Sequence, residues 1–465
     1  MNEPTGIPIA RWVNSIPNEG LMRYRVLFNK ERILITSPKA VGEVLVSKNY
    51  DWEKPSELKA GLGRLLGDGI LLAEGDEHKR QRKHLTPAFS FRHIKDLYPI
   101  FWTKSVEMVK AITQVARTEA TQAGKKEDEP TTVIEVSDWA SRVTLDIIGV
   151  AGMGQDFGAI EDPNTELNRI YRTIFSPNAQ AKMLGILGIF LPFFIIQMIP
   201  VKRNSDVVVA VASIRKVCRQ LIQSKQRKLN SKEPVEQDIL TVALQSGGFS
   251  EDNLVDQLMT FLAAGHETTA TAVTWAILHL CQSPDVQAKL RAEVRAGLPS
   301  VDSPDEVTSE MLDKMPYLHA VCNEVLRVNC PVTLTRRAAV RDTSILGQYV
   351  PKGTDVIICP LAMNTSTALW GPDAAKFTPD RWLAPGMANN GGAESAYANL
   401  TFLHGPRSCI GQAFSKAEFH CILAAIVGRF EMELEDPNKV IEIGGGITAK
   451  PKGGLRVKVK VLDGW

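Results

Sequence analysis

At 465 residues the chain exceeds the usual size of one compact domain, so its length allows either two or three domains or one large single-core fold. A hydrophobic share of 44% with 23% charged residues is ordinary for a globular protein and excludes a disordered or fibrous one. The formal net charge of only +2 argues against a general nucleic-acid binder, and no nucleic-acid partner is expected.

In chain order, Met1 to Asn18 hold prolines and polar residues without a long apolar run, so no signal peptide or N-terminal anchor is expected within them. Arg23 to Ser37 reads as two apolar, β-branched runs around Asn29-Lys30-Glu31, which predicts a hairpin. From about residue 76 to 330 long segments of helical period follow, punctuated by Pro130, Pro163, Pro177, Pro192, Pro200, Pro234 and Pro284. Glu119 to Thr132 is charged and poor in apolar residues, which predicts a solvated loop between helices. Met183 to Ile199 is an apolar run broken by Pro192 and Gln197; it is shorter than the roughly 20 residues of a bilayer span, and reads as an apolar flap or a core helix. Glu251 to Gln282 forms one very long helix, with Ser250 as N-cap and Ser283-Pro284 as its end, about 48 Å at 1.5 Å per residue. Residues 341 to 359 and the tail Leu455 to Leu462 alternate as strands do. With no repeat and no linker, the reading is one interleaved domain over 1–465: a sheet-rich part to about 75, then a helical body from about 76 with C-terminal strands.

The seven cysteines (218, 281, 322, 330, 359, 409 and 421) are odd in number and form no close pair, so neither a disulfide framework nor a zinc site is expected. One of them stands apart. Phe402-Leu403-His404-Gly405-Pro406-Arg407-Ser408-Cys409-Ile410-Gly411 gives the pattern FxxGxRxCxG directly before a helical pattern from Gln412 to Gly428. A thiolate just ahead of a helix N-terminus is stabilised by the helix dipole and free backbone N–H groups. Gly405 and Gly411 allow a tight turn and close approach of the backbone to a flat cofactor, Arg407 suits a cofactor carboxylate, and Phe402 can shield the sulfur from water. A merely buried cysteine is the ordinary reading of any one cysteine, but five fixed positions in ten residues favour a ligand. The loop resembles the cysteine-ligand loop of the cytochrome P-450 superfamily, whose thiolate donation favours O–O bond cleavage.

Further segments carry the resemblance in the family's order. Glu324 and Arg327 stand three apart on a predicted helix, Pro316 to Val328, among apolar neighbours. Such pairs are usually solvated, but a buried one needs full hydrogen bonding. Phe377-Thr378-Pro379-Asp380-Arg381-Trp382 resembles the family's meander motif, so the resemblance implies a structural triad of Glu324, Arg327 and Arg381. The long helix carries Ala264-Gly265-His266-Glu267-Thr268-Thr269. Gly265 weakens the helix, Thr268 can bond a backbone carbonyl and open the ladder locally, and Glu267 offers an acid for a proton relay. The bland reading is a kink in a core helix; the resemblance favours an oxygen-activation groove with Glu267 and Thr268 as catalytic groups. His266 beside them reads as surface or groove lining and not as a ligand.

Residues 75 to 89 resemble the family's helix at the heme edge, with His78 where a tryptophan is usual and with Arg82 retained four residues on. Arg337 is expected as a third propionate partner, with Arg336 as its rival. Lys79, Arg80 and Lys83 form a local basic cluster, either a plain solvated face or a docking site for an acidic electron donor. Gly61-Leu62-Gly63-Arg64-Leu65-Leu66-Gly67 is GxGxxxG and joins no clear strand to a helix, so dinucleotide binding there is rejected.

The resemblance implies a mainly α fold with a smaller β region, a triangular prism with a long central helix over the heme. It implies one heme b, dioxygen as co-substrate, electrons from NADPH through a flavoprotein reductase, and monooxygenation of a lipophilic small molecule in secondary metabolism by a monomer. The groove looks more like eukaryotic microsomal members, fungal ones included. That implies the cytosolic face of the endoplasmic reticulum, an anchor outside this sequence, and peripheral membrane contact through 183–199; a cytoplasmic protein is the alternative. The loop around Ser56 to Leu72, the 183–199 flap, Met259, Ala263, Ala264, Val332, Thr333 and Leu334 are expected to line the pocket. A heme-thiolate isomerase or dehydratase acting on peroxides without a reductase, and a non-catalytic heme or ligand-binding protein, are the competing readings.

Overall fold

The computed structural model describes residues 6–122, 130–175, 179–188, 190–191 and 193–465. Helices dominate it. The longest, here called the central helix, runs without a break from Glu251 to Gln282. Its first turn carries Glu251 and Asp252, and the Ser250 hydroxyl accepts from the Asn253 N–H at 3.3 Å, so dipole and cap both favour its start. Apolar residues surround most of its circumference, which is the pattern of a helix sunk in a core. Helices Tyr98–Gln122, Val136–Met153, Pro316–Val328 and Gln412–Arg429 pack with it into one main hydrophobic cluster.

The predicted hairpin is present as antiparallel strands Leu21–Arg25 and Glu31–Ile35, paired Leu21↔Ile35 to Arg25↔Glu31. Its second strand pairs parallel with Asp355–Ile358, which pairs antiparallel with Thr335–Ala339, and that strand pairs in turn with Trp52–Glu53. The five-stranded sheet thus joins the start of the chain to residues far along it. The tail strand Arg456–Val461 lies between Thr131–Glu135 and Phe430–Leu434.

That pairing corrects one expectation. Glu119 to Gln122 continue the helix Tyr98–Gln122, and Thr131 and Thr132 belong to a strand, with Thr132 buried opposite Val459. Residues 123–129 of the expected loop lie outside the described residues. The apolar run 183–199 contributes to two short helices, Ala179–Leu187 and Phe193–Met198, while its residues 189 and 192 lie outside the described residues. No described helix is long and apolar enough to cross a membrane. The glycine-rich stretch 61–67 is the end of a helix, Ser56–Leu66, followed by Gly67 at φ 69°, so it is not a strand-to-helix phosphate turn.

Candidate active site

The Cys409 loop is held by its own backbone. The Cys409 N–H donates to the Phe402 carbonyl at 2.9 Å, closing the loop, and the helix Gln412–Arg429 begins just beyond it. Gly405 has φ 76°, and a Cβ there would come within 2.1 Å of the Leu45 carbonyl oxygen, so no other residue fits. Gly411 does not meet the same need. Its φ is −87°, and a Cβ would touch only the Phe89 ring at 3.9 Å, an ordinary contact. The second left-handed residue of the loop is Leu403, at φ 56°.

Among the seven cysteines, all within the described residues, Cys409 alone has an exposed side chain. It is nonetheless enclosed at longer range, and burial pushes its thiol pKa up, opposed by a hydrogen bond from the Gly411 N–H and by the Arg82 charge. A thiol that is accessible yet deep in the fold lies on the wall of an interior space. Phe402 packs partly buried against the main core with the Lys416 ammonium 5.9 Å from its ring centre.

Beside this loop the structure gathers cations. Arg407 lies 2.6 Å from the Glu74 carboxylate and donates to the Trp52 carbonyl at 2.8 Å. Its Nε and Nη2 are buried with no acceptor. Arg82 donates to the Ser408 carbonyl at 2.6 Å, which ties the helix Gly75–Leu85 to the loop. His78 is buried on the same helix, with Nδ1 3.5 Å from the Tyr50 hydroxyl. Burial, followed by the charges of Arg407, Lys54 and Arg82, pushes its pKa down to about 4, so His78 is neutral near pH 7. Arg337 is buried and bonded to Thr335 Oγ1 and the Arg336 carbonyl, whereas Arg336 is paired with Asp355. Burial and the Arg407 charge push Arg337 down to about 10.

Two members of this cluster escaped the sequence reading. Lys54 has its pKa lowered to about 7 by burial and by Arg337, with Arg407 adding to the effect. Glu74 accepts the Lys54 backbone N–H at 2.8 Å and is the carboxylate that Arg407 approaches. Lys54, Arg337 and Arg407 therefore share the Glu74 carboxylate, and Arg82 stands beside Cys409. Buried donors without acceptors are costly, and so are crowded like charges. The donor set fits a ligand that brings two carboxylates, as heme does with its propionates.

Behind the loop, the Glu324 carboxylate has no exposed surface and accepts five donors. They are Arg327 Nε and Nη2 at 2.8 and 2.7 Å, Arg381 Nε at 3.0 Å, Trp382 Nε1 at 2.9 Å and the Thr378 N–H at 2.9 Å. Arg327 also donates to the carbonyls of Asn364, Ala374 and Lys376. Such saturation is what a fully buried ion pair needs. It fastens the helix Pro316–Val328 to residues 364–382.

On the central helix, Ala264, Gly265 and Thr268 keep some accessibility while residues 259 to 263, 266, 267, 269 and 270 are buried. Thr268 Oγ1 donates to the Ala264 carbonyl at 2.8 Å, but the helix stays α throughout, so the expected opening of its ladder is not seen. Gly265 packs against Ile148, 3.2 Å from where its Cβ would stand. Glu267 Oε1 accepts from Thr448 Oγ1 and from Lys450 Nζ, each at 2.8 Å. His266 is neither surface nor groove lining: it is buried against the Tyr171 and Phe175 rings, at 4.6 and 5.9 Å between centres.

At roughly 100° per residue, Met259 stands about 180° around the axis from Thr268 and Ala263 about 140°. Both are buried in the core, Met259 completely. Gln257, Thr260 and Phe261 stand on the same side of the helix as Ala264 and Thr268, but are buried. Gln257 Oε1 accepts the Ile70 N–H at 2.9 Å, Thr260 donates to the Leu66 carbonyl at 3.0 Å, and Phe261 meets Phe89 at 5.5 Å, so this face holds the 66–73 loop. Thr333 packs against Gly6, and Leu334 against the cluster of Ile9 and Leu34, which turns both toward the N-terminal segment; Val332 is partly exposed.

Residues 21–458 match the family described as "Cytochrome P450". This chain belongs to the cytochrome P450 family. It is 49% identical over 462 residues to the cytochrome P450 monooxygenase sphH of Aspergillus fumigatus, covering 98% of this chain and 84% of that protein. It is 43% identical over 511 residues to the cytochrome P450 monooxygenase FUM15 of Gibberella moniliformis, covering 99% and 85%. A crystal structure of a cytochrome P450, CYP102L1, superposes with a TM-score of 0.79 at 25% identity over 97% of each chain. The mainly helical P450 fold and the monooxygenase class are thereby shown; the family implies a heme-thiolate cofactor, and its monooxygenases generally require a reductase partner.

Proposed function

We propose that this cytochrome P450 monooxygenase oxidises a lipophilic small molecule in secondary metabolism, with electrons passed from NADPH by a flavoprotein reductase. The carrying observation is the accessible Cys409 thiol, enclosed by the fold and flanked by unpaired buried donors of Arg407. The fungal origin of its relatives supports the setting.

Cys409 would hold the heme iron through its thiolate. Lys54, Arg82, Arg337 and Arg407 would hold the two heme propionates, and neutral His78 would donate or accept a hydrogen bond at the same edge. Phe402 excludes water from the sulfur. Once bound, heme supplies dioxygen activation, which thiolate donation favours. Thr268, with its hydroxyl bonded back to Ala264, holds a proton at the accessible face of the central helix, and Glu267 exchanges protons one residue away. Ala264 and the 66–73 loop bound the substrate space. The presence of both Glu267 and Thr268 favours monooxygenation over peroxide rearrangement.

The reductase is proposed to approach the helix Gly75–Leu85, but with less help from charge than the sequence promised. Lys79 pairs with Asp76 at 2.7 Å and Arg80 with Glu77 at 2.6 Å, so Lys83 is the member of the trio with no acid beside it among the described residues. We also propose peripheral contact with the endoplasmic reticulum membrane. Phe28, Ile186, Phe190, Phe194 and Met198 are all exposed, and Phe28 meets Phe190 edge to face at 6.0 Å, so the hairpin turn and the 183–199 segment share one apolar patch.

The test is a reduced-CO spectrum, followed by turnover of a lipophilic compound library with and without reductase and NADPH. Reductase-dependent oxygen insertion supports the reading. Turnover of organic peroxides alone, with no product from the reductase system, would sink it.

A further inference from the structure

The acid of the groove is held by a distant part of the chain. Strands Ile443–Gly445 and Ala449–Pro451 form a C-terminal hairpin, and from it Thr448 Oγ1 and Lys450 Nζ both reach Glu267 Oε1 at 2.8 Å. The same hairpin is bolted on at two further points. Trp275 Nε1 of the central helix donates to the Ala449 carbonyl at 2.8 Å, and the Ala449 N–H donates to the Pro331 carbonyl at 2.9 Å. Gly445, at φ 138°, makes the tight hairpin possible, since a Cβ there would collide with the Thr448 carbonyl.

The two contacts differ in character. Thr448 is buried and offers a neutral donor. Lys450 is a cation whose side chain keeps 27% exposure, while that of Glu267 keeps 9%. No hydrogen bond falls on Glu267 Oε2 among the described residues. One oxygen is thus pinned toward the hairpin, the other is free to exchange a proton, and the pinning cation touches bulk water.

We propose that Thr448 and Lys450 are positioning residues for proton delivery: they fix Glu267 by one oxygen and give it its route to solvent. A proton that arrives from water past Lys450 is taken up at the unpinned Oε2, and leaves from that same oxygen toward the Thr268 face, so the residues return unchanged after each delivery. This rests on the proton role assigned to Glu267 above.

The experiment uses the heme-loaded protein with a P450 reductase, NADPH and no added substrate. The oxygen consumed then appears as hydrogen peroxide, or as water when further protons and electrons arrive. E267Q is expected to raise the peroxide share, and K450M and T448V to raise it several-fold in the same direction. K450R should restore the wild-type share, and K450M/E267Q should be no worse than E267Q alone. Infrared spectroscopy supplies a readout independent of turnover: the Glu267 carboxyl band, identified by its loss in E267Q, should move in frequency in K450M as the hydrogen bond to Oε1 is removed. If E267Q changes the peroxide share while K450M leaves both share and band at wild-type values, the hairpin has no such role. If E267Q itself changes nothing, the proton role of Glu267 fails and the inference falls with it.

Discussion

Arg327 meets Glu324 through two hydrogen bonds, at 2.7 and 2.8 Å, with neither side chain exposed. The pair's geometry is bidentate, and the carboxylate's remaining capacity is taken up by Arg381, Trp382 and Thr378. Removing one partner strands the other charge in the core. Arg327→Ala is therefore expected to cost about 3–5 kcal/mol or to prevent accumulation of folded protein. Arg381, which keeps some exposure and a second partner in Asp373, should cost less when changed to Ala. Denaturant midpoints of the two variants, compared with wild type, check the order.

The two glycines of the cysteine loop should behave differently. Gly405→Ala forces a Cβ onto the Leu45 carbonyl in a left-handed conformation, and is expected to lose most heme incorporation. Gly411→Ala adds only an ordinary contact with Phe89 and should keep it. The ratio of Soret to protein absorbance in purified protein reads both.

Lys54 gives the apoprotein a pH signature. Its folded pKa of about 7 lies below the ordinary 10.5, so between these values the unfolded chain binds more protons and stability rises with pH. His78, at about 4 against 6.5, adds a separate rise at lower pH. The rise between about 7 and 10.5 should shrink in Lys54→Met while the acidic one remains. Urea unfolding of the apoprotein across this range measures the difference between the two proteins.

Much of the site is legible in sequence because its residues act through short local spacings. Cys409 with Gly405 and Arg407, and Glu324 with Arg327, lie within ten residues of each other, and the central helix is marked at both ends by a serine cap and a proline. Lys54 and Glu74 were not legible, since only the packing of separate segments against Arg407 and Arg337 gives them a role. Lys450 was hidden for the same reason, being far along the chain from Glu267. Met259 and Ala263 raise another point: helical period places them well away from Thr268, a direction that apolar character does not carry.

The faces of the central helix predict opposite phenotypes. Ala264→Val narrows the accessible face and should shift the binding spectrum of a phenylimidazole probe. Met259→Ala leaves a hole in the packed core, costing about 2–5 kcal/mol, while leaving that spectrum unchanged. Spectral titration alongside thermal unfolding separates the two.

The central claim is that Cys409 is the iron ligand, and the reduced-CO spectrum of Cys409→Ala, set against that of Cys421→Ala as a buried-cysteine control, tests it most directly. The account predicts that the thiolate-type band disappears in the first variant and persists in the second. A thiolate-type band retained by Cys409→Ala would contradict it.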